Sequence, residues 1–173
     1  MSDGAVRILP LAADEVERLV ALAREIWHAH YPGIVDPAQI EYMLAQRYEP
    51  RLIRAELERG DVWWDKLVVG DELAGFASYF PGAAPGEMKL DKLYVHSRHQ
   101  RRGYGGLLIA RAAEIARARN CRRLTLAVNK GNRSAIAAYL KHGFRIADAV
   151  VKDIGGGFVM DDYIMVRPVM GDE

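Results

Sequence analysis

The chain has 173 residues, half of them hydrophobic and 27% charged, which is the composition of one ordinary globular domain with a substantial core. Its net charge of +1 argues against a general nucleic-acid or membrane-surface binder, since those carry a basic excess. The single cysteine, Cys121, excludes an internal disulfide framework and fits a reducing cytoplasm, and no apolar run approaches the roughly 20 residues that a spanning helix needs.

Met1-Ser2-Asp3-Gly4 has no basic segment leading into a hydrophobic stretch, so no secretory leader is expected. Val6, Ile8 and Pro10 mark a short first strand. Ala13 to about His30 carries Val16, Leu19, Val20, Ala23, Ile26 and Trp27 at helical spacing, and Tyr31-Pro32-Gly33 ends it. Asp36-Pro37 reads as an N-cap followed by proline at the first helical position, opening a helix with Ile40, Met43 and Leu44. A third short helix spans Pro50 to Glu58 and stops before Gly60.

From Asp61 the period changes. Val62–Trp64 and Leu67–Val69 read as a strand closed by Gly70-Asp71, Leu73–Phe80 as the next, Pro81–Gly86 as a loop and Lys89–Val95 as a further strand. The helix after Gly103 reaches about Arg119 and places Leu108, Ala112, Ile115 and Ala116 on one face. Arg123–Val128 alternates as a strand, Asn132–His142 is a helix, and strands Phe144–Val151 and Phe158–Val166 flank a turn at Gly155–Gly157. The central strand–helix–strand unit requires a parallel pair. The rest reads as antiparallel, giving a mixed α/β domain, one domain over residues 1–173.

Chemistry concentrates in Gln100-Arg101-Arg102-Gly103-Tyr104-Gly105-Gly106, between a strand and a helix. Unpaired N–H groups at a helix start, the helix dipole and glycines that admit close approach make an anion site. The spacing is neither that of a nucleotide-hydrolysing P-loop nor a Rossmann fingerprint. Between Arg98 and Arg123 stand eight arginines against one acid, Glu114, a local cationic surface suited to a small polyanion. Thirty residues on, Asn132-x-x-Ala135-x-x-x-Tyr139-x-x-x-Gly143-Phe144 forms a second motif.

The two motifs, in this order and separation, resemble the GNAT superfamily of acyl-CoA-dependent N-acetyltransferases. The resemblance implies a central mixed sheet with a splayed parallel strand pair flanked by helices, with acetyl-CoA lying in the gap. It implies that the backbones of Leu93, Tyr94 and Val95 meet the pantetheine arm, and that the amides from Arg101 through Gly103, Tyr104 and Gly105 to Gly106 hold the pyrophosphate. Gln100, Arg101 and Arg102 would flank that site, with Asn132 as a pantetheine contact or a helix N-cap. Tyr139 stands where the family places a tyrosine beside the thioester sulfur. A phenol is protonated at neutral pH and can donate to a departing thiolate; it can also simply fill space beneath the cofactor. Asp91 is the candidate base, shorter than the glutamate of several relatives and so in need of a water relay, or else a structural carboxylate. Glu87 lies further back on the same face and His96 just beyond the strand, and some members rely on ordered water alone.

By the same resemblance, the acceptor side draws on the first helices and the last hairpin. Trp27, Tyr31, Tyr42 and Met43 would supply aromatic and apolar walls, and Asp161 and Asp162 carboxylates suited to a cationic amine. Trp27 also has core-facing spacing, and the two aspartates also suit a solvated strand end. His28 and His30 do not share a helix face, so no metal is expected. The implied activity is direct transfer of acetyl from acetyl-CoA to a primary amine, a polyamine-like molecule or a peptide or protein amino group, in the cytoplasm, with neither nucleic acid nor membrane as partner. The final hairpin is the implied surface for a homodimer. The competing reading is a non-catalytic acyl-CoA sensor or interaction module, which would have no need of Tyr139 as a proton donor.

Overall fold

The computed structural model describes residues 4–170, so Met1–Asp3, on which most of the leader reading rests, lie outside the described residues. Two compact units divide the chain: one takes it up to Phe80 and then Lys92–Ala110, the other Pro81–Asp91 and everything from Arg111. The strands run in the order β1-β2-β3-β4-β5-β7-β6, one mixed sheet of seven with a single parallel pair, as expected.

In the first unit, β1 (Val6–Pro10), β2 (Trp63–Val69) and β3 (Glu72–Pro81) pair antiparallel, with Ile8 opposite Leu67 and Leu67 opposite Gly75. Three helices, α1 (Val16–His30), α2 (Pro37–Arg47) and α3 (Pro50–Glu58), lie between β1 and β2 in sequence. A one-turn 3-10 helix, Ala13–Glu15, forms where the pattern predicted the start of α1. Asp36 caps α2 as predicted, its carboxylate accepting the Ala38 N–H at 2.8 Å ahead of Pro37. Leu19, Ala23, Ile26 and Trp27 are buried on α1, and Leu22 is buried with them while Val20 is only half-buried, so the buried stripe is turned slightly from the expected one. Ile40, Met43 and Leu44 of α2 and Ile53 of α3 complete this apolar layer.

An aromatic cluster fills the middle of this unit. The Trp27 ring centroid lies 4.5 Å from that of Tyr31, 5.8 Å from Tyr94 and 5.9 Å from Tyr48, and Phe76 lies 5.6 Å from Tyr94. The Tyr31 and Tyr94 hydroxyls share a hydrogen bond of 3.0 Å. Burial first, then the neighbouring Tyr31 and Tyr48 phenols, push the Tyr94 phenol well above the ordinary tyrosine range. Lys92 is buried beside this cluster, its ammonium 5.0 Å from the Trp64 ring and 5.6 Å from Tyr48, where π faces offset part of its desolvation.

The second unit starts with the first half of β4 (Glu87–Val95), which pairs in parallel with β5 (Arg123–Asn129) over Glu87↔Arg123, Met88↔Leu124 and Lys89↔Thr125. β4 thus begins two residues earlier than its hydrophobic pattern indicates, because Glu87 joins the ladder and accepts from Arg123 Nε at 2.9 Å. α4 (Tyr104–Ala118) makes the crossover. Its buried positions are Tyr104, Leu108, Ile109, Ala112, Ala113 and Ala116, so the face is rotated from the predicted one and Ile115 is half-exposed. α5 (Arg133–Lys141) leads to the hairpin β6 (Arg145–Gly155) and β7 (Phe158–Pro168). β7 pairs antiparallel with β5 and β6, and β6 ends the strand order, exposed over most of its length. The hairpin turn puts Gly155, Gly156 and Gly157 at φ +89°, +63° and +81°, a run that L side chains strongly disfavour.

Two outcomes follow from the first unit. A Cβ added at Gly75 would sit 2.6 Å from the Tyr94 carbonyl oxygen, a backbone atom with little room to move. Gly75→Ala should therefore lower unfolding free energy by about 1–3 kcal/mol, read as a lower urea midpoint at unchanged slope. Tyr94, with its raised folded pKa, contributes stability that is complete below the unfolded tyrosine value and lost as pH rises past it, because only the unfolded state then releases the proton. Stability should fall at alkaline pH by up to about 1.4 kcal/mol per unit from this group, and Tyr94→Phe should flatten that part of the profile in chemical denaturation.

Candidate active site

The anion loop is built by the way β4 ends and α4 begins. Ser97–His99 form a single 3-10 turn, then Arg101 adopts φ +65° and Gly103 φ +81° before the helix starts. The left-handed value at Arg101 is uncommon for a side chain with a Cβ and turns the backbone sharply there. The first helical bond of α4 is Leu107 N–H to Gly103 O at 3.2 Å, which leaves the N–H groups of Tyr104, Gly105 and Gly106 outside the helical ladder. Arg101, Arg102 and Gly103 are exposed, and a Cβ at Gly103 or Gly105 would meet nothing within 4 Å. An anion therefore has open access to three main-chain donors at the positive end of a 15-residue helix. Tyr104 contributes its backbone, since its side chain is buried with its ring 6.4 Å from that of His99.

Backbone direction separates the three residues at the end of β4. His96 N–H donates to Ala74 O at 2.8 Å, and the Tyr94 carbonyl lies against Gly75, so these residues turn their polar groups to β3. By strand alternation, Leu93 and Val95 direct theirs away from β3. Gln100 plays an unexpected part here. Its Nε2 donates to the Val95 carbonyl at 2.9 Å, so its side chain braces the loop against the strand end. Trp27 is only 2% exposed and its indole N–H meets no acceptor among the described residues, while Tyr31 is half-buried against it. Tyr42 hydrogen-bonds Gln46 at 3.1 Å along α2, and Met43 is buried.

The other sequence-predicted residues belong to the second unit. Asp91 is 13% exposed, with Lys89 Nζ 3.9 Å away. Asn132 sits at the N-cap position of α5, buried, but its side chain makes no capping bond. Tyr139 is half-buried, its ring edge-on to Phe144 at 5.6 Å. Asp161 is exposed and paired with Lys130 at 2.8 Å, a bond that raises the lysine pKa. Asp162, one residue on and so on the opposite face of β7, is 7% exposed. Glu87 is held by Arg123, as described above.

His96, a further candidate base just past the strand by sequence, has its ring engaged on both sides, by Glu25 and by the Arg98 N–H. Glu25 and Glu72, whose carboxylate meets Arg98 Nη2 at 2.7 Å, were not singled out at all. The one local signal was a histidine followed by Ser-Arg just past a strand, a capping pattern. Among the described residues no group of three or more histidine, cysteine, aspartate or glutamate side chains is arranged to hold a metal ion. Among the described residues no helix is long and apolar enough to cross a membrane.

Residues 19–144 match the profile of the Acetyltransferase (GNAT) family. A spermidine N(1)-acetyltransferase of Thermoplasma acidophilum is 26% identical over 160 residues, covering 90% of this chain and 96% of its own. A probable N-acetyltransferase of Mycobacterium tuberculosis is 29% identical over 120 residues, 65% of this chain and 66% of that one. Among solved structures, a PaiA N-acetyltransferase from Thermoplasma acidophilum in complex with coenzyme A superposes with a TM-score of 0.81 at 23% identity, covering 95% of this chain and 99% of that one. With the family profile spanning most of its length and the expected sheet in place, the chain belongs to the GNAT family and is an acyl-CoA-dependent N-acetyltransferase.

Proposed function

We propose that the protein transfers acetyl from acetyl-CoA to a primary amine of the small, cationic, polyamine-like class by direct attack in a ternary complex. The observation that carries the cofactor half is the set of main-chain donors of Tyr104, Gly105 and Gly106 at the start of α4. These donors, with Arg101 and Arg102 beside them, suit a pyrophosphate, and the outward groups of Leu93 and the Val95 N–H suit the amides of a pantetheine arm. The acceptor class draws its support from the likeness to a spermidine N(1)-acetyltransferase over nearly the whole chain.

In this reading Asp91 takes the proton of the attacking amine through a water molecule, since its short side chain does not reach far from β4. The amine nitrogen forms the new bond to the acetyl carbon as the carbon–sulfur bond breaks. Tyr139 gives its hydroxyl proton to the departing thiolate and regains one from solvent. Asn132 holds the pantetheine from the head of α5. Asp162 of the last hairpin offers a carboxylate to the acceptor ammonium, while Asp161 is already neutralised by Lys130; Trp27, expected from the sequence as an acceptor wall, is instead a core residue. The exposed β6 edge, with Ile146 and Val151 outward, is the surface we assign to pairing with a second copy. The lone cysteine, buried Cys121, suits the reducing cytoplasm as the place of reaction.

The test is release of CoA thiol from acetyl-CoA against polyamines, amino acids, aminoglycosides and short peptides. Turnover is expected with spermidine or a related polyamine. Tyr139→Phe should lower kcat by about 100-fold or more with CoA affinity unchanged, the size of effect that loss of a general acid brings. Tight acetyl-CoA binding with no turnover on any amine would instead favour the sensor reading.

A further inference from the structure

All four polar groups of His96 are engaged, and they join separate segments at the point where the anion loop departs. The backbone N–H donates to Ala74 O of β3, and the carbonyl accepts from His99 N–H, each at 2.8 Å. In the ring, Nδ1 accepts the Arg98 N–H at 3.1 Å and Nε2 lies 2.9 Å from Glu25 Oε1. A nitrogen that accepts from a main-chain N–H carries no proton, so the ring proton is on Nε2 and is donated to the Glu25 carboxylate. The His96 side chain is 10% exposed, whereas Glu25 reaches it from α1 with its own side chain 62% exposed. Glu72, at the start of β3, makes a second attachment to the same turn through Arg98 at 2.7 Å and His99 at 3.3 Å. Gln100 makes the third, through the Val95 carbonyl.

We propose that His96 is a positioning residue for acetyl-CoA. It fixes the Ser97–His99 turn against β3 and α1, so the amides from Arg101 to Gly106 stand in their binding arrangement before the cofactor arrives. A loop with φ +65° at Arg101 needs such support, and setting its geometry in advance removes an ordering penalty from each binding event. With both ring nitrogens committed, His96 takes no part in proton transfer. The inference rests on the reading of this loop as the pyrophosphate site.

Calorimetric titration with CoA, alongside thermal melts, separates the two. The set is wild type, His96→Ala, His96→Asn, Glu25→Ala and Gly105→Asp, the last placing a carboxylate in the anion loop where a side chain has open space. His96→Ala should weaken CoA about tenfold, and His96→Asn, whose carboxamide can still cap the Arg98 N–H, should recover to within about threefold. Glu25→Ala, a change at an exposed helix position, should weaken CoA about threefold without lowering the melting temperature, so the result does not depend on His96→Ala folding well. Unchanged CoA affinity in His96→Ala or, where that variant does not fold, in Glu25→Ala, with loss in Gly105→Asp, would overturn the positioning role and keep the loop reading. Unchanged affinity in Gly105→Asp would overturn both.

Discussion

Three residue pairs, Glu87–Lys89 against Arg123–Thr125, are all that the parallel ladder between β4 and β5 contains. Two parallel neighbours cannot be joined by a hairpin, so the chain must cross over, and α4 is the crossover. A helix in that position has to begin just beyond the C-terminal end of β4, which fixes the place of the anion loop. The Glu87–Arg123 ion pair at the start of the ladder joins residues that are register partners, so it is a local marker of register more than a source of stability, both side chains being partly solvated. Beyond Lys89 the strand runs on to Val95, whose carbonyl accepts from Gln100 of the loop.

The loop itself combines permissive and restrictive residues. Glycines at 103 and 105 leave the backbone open, whereas Arg101 is held in a left-handed conformation that asks for external restraint. That restraint comes from residues far away in sequence: Glu25 stands 71 positions before His96, and Glu72 26 before Arg98. The same unit packs Trp27, Tyr31, Tyr48 and Tyr94 into one aromatic cluster, so α1 is tied to β4 both at the Tyr31–Tyr94 hydroxyl pair and at Glu25–His96. Helix, strand end and loop are in this way parts of one bonded framework.

Much of the fold could be read from residue pattern, and the exceptions have physical causes. Asp36-Pro37 and Gly155–Gly157 act through backbone preferences that need no tertiary partner, and both formed where expected. The face of α4 shifted, because periodicity identifies an apolar stripe but not which edge of it a neighbouring sheet covers. Glu87 entered β4 through a charged partner on another strand, which a hydrophobic pattern does not register. At the site, the glycines and the helix start were visible at once. The tie from Gln100 to the Val95 carbonyl, the pairing of Asp161 with Lys130 and the commitment of His96 were not, since each depends on which side chains folding brings within 3 Å or so of one another.

We propose direct attack of an amine on acetyl-CoA held by this loop, with no acyl-enzyme. Initial velocities measured over a grid of acetyl-CoA and spermidine concentrations test it most directly. Lines that intersect in the double-reciprocal plot are the predicted result, since both substrates must be bound before acetyl moves. Parallel lines would mean that acetyl passes first to a group on the protein, and would rule out direct attack.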